Sequence, residues 1–221
     1  MNVLTSILQS LLAEAEWTYD RANSYAAFHQ PGADYVCLAR SQQLTVKLYR
    51  FNPKRYVPRA DAWGAATAVN PHSHRYAFQT MVLTGSLTNI EYRETTQNLA
   101  GYRELPLLRP YVRYTFRSGL GKGGEGELSR DRDTLLVPNT ETYSMPPGQW
   151  YHCGPDTVHS VVPHWLQETV VVLFQHADVR EQTYLYSRPD EPLDFQGLYQ
   201  PLEVSTAREI ISTARSALER L

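Results

Sequence analysis

Apolar positions along the chain follow two different periods. Leu4, Ile7, Leu8, Leu11 and Leu12 recur at helical spacing and predict a helix over about residues 3–19. At the other end, Ile210, Ala214, Leu218 and Leu221 mark one face of a closing helix over 205–221. Thr206 and Glu209 ahead of that stripe have the form of a capping box. Between these ends the period shortens to that of strands. The segments "LTVKLYRF" (44–51), "YAFQTMVL" (76–83), "LTNIEY" (87–92), "YVRYTF" (111–116), "TLLV" (134–137), "VHSVV" (158–162) and "TVVVLF" (169–174) are short and separated by proline and glycine. "TGS" (84–86) between two of them predicts a hairpin connection. The pattern predicts one all-β domain, a sandwich or barrel over 40–187. An N-terminal helical extension (1–25) and the C-terminal helix flank it within a single domain of 1–221.

Composition narrows the function classes. Of the 221 residues 42% are hydrophobic and 20% charged, values of a globular chain. Net charge is −2 and no lysine or arginine block occurs, so a nucleic-acid partner is not expected. No apolar run approaches the roughly 20 residues that cross a bilayer, so no membrane partner is expected either. The start, "MNVLTSILQSLLAEAEW", lacks a basic region and carries Glu14 and Glu16, which makes it an amphipathic helix and not a leader. Cys37 and Cys153 do not form a disulfide framework, and a cytoplasmic location is the expectation. Residues 118–133, "SGLGKGGEGELSRDRD", hold five of the twelve glycines and a G-x-G-x-x-G match at Gly119, Gly121 and Gly124. A dinucleotide site needs an apolar-faced helix directly afterwards. The charged residues that follow predict a loop able to cover a barrel mouth instead.

Candidate chemistry rests on histidine. Seven are present, at 29, 72, 74, 152, 159, 164 and 176. In "PHSHRYAFQTMVLTG" (71–85), His72 and His74 stand two apart, and in an extended segment such residues point the same way. Two imidazoles aimed at one spot form a chelate for a divalent metal, although surface histidines so spaced need no ion. A second stretch, "YSMPPGQWYHCGPDTVHSVV" (143–162), offers His152 and His159 around two turns, at Gly148 and at Gly154–Pro155. His29, His164 and His176 are expected to be surface or hydrogen-bonded residues. Tyr76, Tyr92, Trp150 and Tyr151 are candidates for the barrel mouth, or for its core.

These two stretches resemble the two motifs of the cupin superfamily, and together they cover 35 residues. His72 and His74 match the H-x-H of the first motif, and Pro146 with Gly148 match the P-x-G turn of the second. The resemblance implies a double-stranded β-helix, a jelly-roll barrel, with both helices packed outside it. It also implies a metal held by His72, His74 and a third histidine. "GPDTVHSV" makes His159 the choice, and His152 competes for the place. Where the family pattern carries Glu, this chain has Phe78 or Gln79, depending on the count. Six residues separate Phe78 from Gly85, which favours Phe78. Neither is acidic, so the usual carboxylate ligand is missing or is replaced by the Gln79 amide. Three neutral imidazoles leave a divalent ion its full charge, with room for an anionic chelating substrate and for dioxygen. That arrangement resembles the three-histidine cupins, with a looser likeness to the cysteine-dioxygenase-like group. It implies a non-haem iron dioxygenase that uses Fe(II), while zinc, nickel and manganese suit the same ligands. In that group an arginine on an early strand binds the substrate carboxylate, and Arg50 is the candidate here, with Tyr151 beside the site. Cys153 is expected to be a buried small hydrophobe. Competing readings are a non-redox lyase, isomerase or hydrolase with a Lewis-acid metal, and a cupin that only binds a small ligand. A homodimer is a further expectation from the resemblance.

Overall fold

The computed structural model describes the chain except residues 1–2, 29–31, 56–58, 61–65, 68, 96–109, 118–126, 140–142, 165, 192 and 194–199. Helix α1 (Val3–Thr18) leads into strands β1 (Asp20–Ala26), β2 (Ala33–Arg40) and β3 (Leu44–Phe51). Two short strands, β4 (Arg59–Ala60) and β5 (Ala66–Thr67), pair with each other. They are followed by β6 (Phe78–Thr84), β7 (Leu87–Thr95), β8 (Pro110–Arg117), β9 (Glu127–Pro138) and β10 (Tyr143–Met145). Next come β11 (Trp150–Cys153), β12 (Val158–Pro163), β13 (Thr169–His176), β14 (Gln182–Ser187) and β15 (Gln200–Pro201), and helix α2 (Val204–Leu218) closes the order.

The strands form two antiparallel layers. One runs β11-β6-β13-β3-β2-β1-β15 and the other β10-β7-β9-β8-β14, with β12 also paired to β7. This is an antiparallel β-sandwich with two helices on one outer face. The seven-stranded sheet has an outer and an inner face, set by strand alternation. Val46, Leu48, Met81, Leu83, Val170, Val172 and Phe174 face outward and pack with Leu8, Leu12, Ile210, Ile211 and Ala214 of the helices. Phe51, Val82 and Val171 face inward and meet Leu87, Met145 and Val161 of the second sheet. In the second sheet, Ile90, Tyr92, Tyr111, Leu136, Val158 and Tyr186 form a further cluster. His72 bridges both β12, at His159, and β14, at Leu185. Pairing therefore runs in a ring from β14 through β8, β9, β7, β12 and His72 back to β14, so the segment carrying the first histidine seals the second sheet.

Several sequence expectations change. The N-terminal extension is helical only to Thr18; residues 20–26 and 33–40 are strands of the main sheet, so β structure begins well before residue 40. The "TGS" segment does not close a hairpin. β6 pairs with β11 and β13, while β7 pairs with β9, β10 and β12, so the turn carries the chain from one sheet to the other. Gly85 makes that corner possible. Its φ is 75°, and a Cβ there would sit 2.4 Å from Thr169 Oγ1 and 2.7 Å from the Glu168 carbonyl. The glycine-rich stretch was expected as a loop through 133, yet residues 127–133 belong to β9, paired along β8. Their charges are the reason they read as loop and also part of what holds the strand. Arg113 of β8 pairs with Asp131 and, at 2.9 Å, with Glu94 of β7, which Arg132 also reaches at 3.1 Å. Residues 118–126 and His29 lie outside the described residues. The capping box does not form: α2 has Glu203 as its N-cap without a side-chain cap bond, and Glu209 bonds Arg50 instead. Among the described residues, no helix is long and apolar enough to cross a membrane.

Candidate metal centre

The site is built by backbone pairing. His72 N–H donates to the His159 carbonyl at 3.0 Å, and His159 N–H returns to the His72 carbonyl at 2.9 Å. Directly opposed residues of such a pair share one face, so the two rings are driven together, with centroids 4.9 Å apart. His74, two residues on, joins them at 4.6 Å from His72 and 5.1 Å from His159. One nitrogen of each ring lies within 4.8 Å of the others, and no other such group of histidine, cysteine or carboxylate side chains occurs among the described residues.

Hydrogen bonds orient two of the rings. His72 Nδ1 lies 2.8 Å from the Asn70 carbonyl and His159 Nδ1 lies 2.6 Å from Asn89 Oδ1. A carbonyl only accepts, so the Asn70 contact puts the proton on His72 Nδ1 and leaves its Nε2 lone pair for the centre. Asn89, with its Nδ2 donating towards Glu91 at 3.4 Å, presents its oxygen to His159 and imposes the same tautomer. The Nε2 atoms of His74 and His159 are 2.9 Å apart. That is close to the roughly 3 Å between ligands at right angles on an ion with metal–nitrogen distances of about 2.1 Å. Burial pushes the His72 imidazole below its ordinary value, against the opposing pull of the Asn70 carbonyl. His159, at 3% exposure, is pushed well below by burial and then by the charge of His72. Both therefore stay neutral at pH 7, the form that ligates.

Strand parity decides the contested positions. Phe78 stands on the inner face of β6 with Val82, its ring 4.9 Å from His74 and 5.6 Å from His159. Its apolar ring thus borders the histidine cluster. Gln79 shares the outward parity of Met81 and cannot reach the histidines, which removes the amide-ligand alternative. His152 pairs with Gln79 in register and is exposed on that same outward face, apart from the cluster of His72, His74 and His159. Tyr151, opposite Thr80, faces inward, 6.1 Å from Phe78. Arg50 corrects the substrate-binding expectation. It shares the outward parity of Leu48, is 4% exposed, and pairs with Asp34 at 2.7 Å and with Glu209 of α2 at 2.9 Å. Its guanidinium ties the sheet to the helix and lies on the wrong side of β3 for the site. Cys153 is buried, and burial pushes its thiol up to about 12, as expected of an inert small hydrophobe.

Sequence reasoning passed over Asn89 and Lys47. Asparagine is depleted in strands, so Asn89 between Leu87 and Glu91 at inward positions of "LTNIEY" was the available signal. Lys47 breaks the apolar alternation of "LTVKLYRF" at a position of the same parity as Tyr49 and Phe51.

No family model and no curated protein matches the sequence. Solved structures that overlay on it include a sugar phosphate isomerase of the cupin superfamily from Silicibacter pomeroyi, at 13% identity and a TM-score of 0.35, covering 76% of this chain and 83% of that one. KdgF from Halomonas sp. overlays at 15% identity and a TM-score of 0.33, covering 66% of this chain and 82% of that one. Hydroxypropylphosphonic acid epoxidase from S. wedmorenis overlays at 9% identity and a TM-score of 0.35, covering 71% and 56%. Overlays this distant carry no argument about activity.

Proposed function

We propose that the protein is a metal-dependent enzyme of the cupin type, a non-haem iron dioxygenase that takes a small metal-chelating substrate together with O2. The observation that carries this reading is the group of three imidazoles, with nitrogens within 4.8 Å, beside Phe78 where a carboxylate ligand would stand. A divalent ion so held keeps its full charge and open positions, which supplies Lewis acidity and, for iron, oxygen chemistry. The chain's own contribution is positional. Asn70 and Asn89 hold the Nδ1 protons of His72 and His159 away from the centre. Phe78 keeps water and negative charge off one side, and Tyr151 borders the same inward space. Holding substrate and O2 side by side supplies the proximity that the reaction lacks in solution. Homodimerisation and a cytoplasmic location belong to the same reading; the two unpaired, buried cysteines agree with a reducing compartment.

The test is oxygen consumption by anaerobically iron-loaded protein across thiols, enolisable dicarbonyls and catechols. Uptake that requires both iron and one of these substrates is expected. Phe78→Glu should tighten metal binding and suppress that uptake. Full-rate turnover of a substrate without O2 would replace the reading by Lewis-acid catalysis.

A further inference from the structure

A carboxylate shares the inner face of the second sheet with the histidines. Glu91 of β7 stands directly opposite His159 of β12, and Asn89 stands opposite Val161, two positions along. Opposed residues project from the same face of a sheet, as do residues two apart on one strand, so Glu91, Asn89 and His159 share a face. Their polar atoms form a line. Asn89 Nδ2 donates to Glu91 Oε1 at 3.4 Å, and His159 Nδ1 donates to Asn89 Oδ1 at 2.6 Å. Asn89 is 5% exposed and His159 3%, so little water competes at these two members, while Glu91 is half-buried at the outer end. The backbone holds Glu91 on both sides. Across from it is His159, and its carbonyl accepts from the Asn139 N–H at 2.8 Å where β9 has ended. None of the ion pairs among the described residues includes Glu91. A carboxylate drawn partly out of water without a cation loses hydration, and the donor that meets it here is the Asn89 amide.

We propose that Glu91 is a positioning residue of the metal centre that acts through Asn89: its carboxylate decides which end of the Asn89 amide faces His159 and polarises that amide, so that His159 presents its Nε2 lone pair as a stronger donor. The role rests on the three-histidine reading and deepens it. An amide can be turned end for end, and the two orientations have opposite meaning for the ring. With Oδ1 towards His159, the ring keeps its proton on Nδ1 and Nε2 is free to ligate. With Nδ2 towards it, the ring must accept at Nδ1 and carries its proton on Nε2, where an ion would bind. A carboxylate only accepts, so it attracts Nδ2 and repels Oδ1, and the first orientation wins. Donation to an anion also draws electron density along the amide to Oδ1. That strengthens its hold on the His159 proton and makes Nε2 more basic. The negative charge that Phe78 cannot supply as a ligand thus stands behind His159 and occupies no position on the ion.

Two measurements test this, and neither reads activity. In metal-free protein carrying 15N-labelled histidine, the His159 ring signals are assigned by their loss in His159→Leu and should report the proton on Nδ1. Glu91→Gln keeps the length of the side chain, removes its charge and can turn either end of its own amide to Asn89. The His159 signals should then move towards a mixture of the two tautomers, and in Glu91→Leu they should move as well. Zinc affinity, measured by competition with a chelating dye, should fall by about tenfold in Glu91→Gln. In an Asn89→Leu background, which has no amide to orient, Glu91→Gln should change zinc affinity by less than about twofold. His159 signals that stay unmoved in both Glu91 variants, or a zinc loss that adds in full to that of Asn89→Leu, overturn the proposal, because a carboxylate that only packs the strand behaves in that way. His159 signals that respond to Glu91→Gln in a protein whose wild type fails to bind zinc remove the three-histidine reading and leave the relay standing.

Discussion

Each histidine of the centre depends on a neighbour that holds its ring. His72 and His74 lie in a segment with little regular structure, fixed by bonds to His159, Tyr184 and Pro155, and His159 sits on a strand against Asn89. Replacing His72, His74 or His159 by Ala should each abolish tight metal binding, because two imidazoles hold a divalent ion poorly. His152→Ala and Gln79→Ala should leave it intact, since both side chains point to the other face. Metal content after dialysis checks all five variants, and loss in His152→Ala with retention in His159→Ala would reverse the ligand assignment. Asn89→Leu keeps the volume and removes the acceptor for the His159 proton. Metal affinity should then fall by about 10- to 100-fold without loss of the fold, measured by competition with a chelating dye.

Among the elements, β3 and the corner at Gly85 do most to define the site's surroundings. Along β3, alternate residues serve opposite purposes: Leu48 and Arg50 attach the helices, while Lys47 and Tyr49 face inward. Arg50→Met should destabilise the protein by about 3–5 kcal/mol in urea unfolding, because Asp34, 1% exposed, is left as an unpaired buried carboxylate. The double variant Arg50→Met, Asp34→Leu should recover most of that loss. Gly85→Ala combines a φ of 75° with a Cβ 2.4 Å from Thr169 Oγ1, so a loss of more than about 1 kcal/mol is expected from the same measurement.

For the whole molecule, the buried imidazoles couple stability to acidity. His72 and His159 bind protons less readily folded than unfolded, both chiefly through burial. The unfolded state then holds more protons below the ordinary value of 6.5, so stability rises with pH there and levels off above it. Metal-free protein should lose up to about 1.4 kcal/mol per pH unit for each of the two between pH 6.5 and 5. His159→Leu should show a slope shallower by about one proton; equal slopes would mean that His159 is protonated in the fold. Much of this molecule is legible in its sequence. The periods of its apolar residues determined the two terminal helices, the β class and most central strands, since both signals are local. His-x-His at Gly-and-Pro-bounded strands likewise marked the centre. Asp34 and Glu209, which turn Arg50 from a site residue into a structural one, are 16 and 159 residues away, and no local pattern reports such pairing. The same holds for the choice of His159 over His152, for Phe78 over Gln79, and for the inward aim of Lys47. Alternation along a strand says that neighbours face opposite ways. Which side is inside is decided only when the helices cover one face of the sheet and the second sheet covers the other.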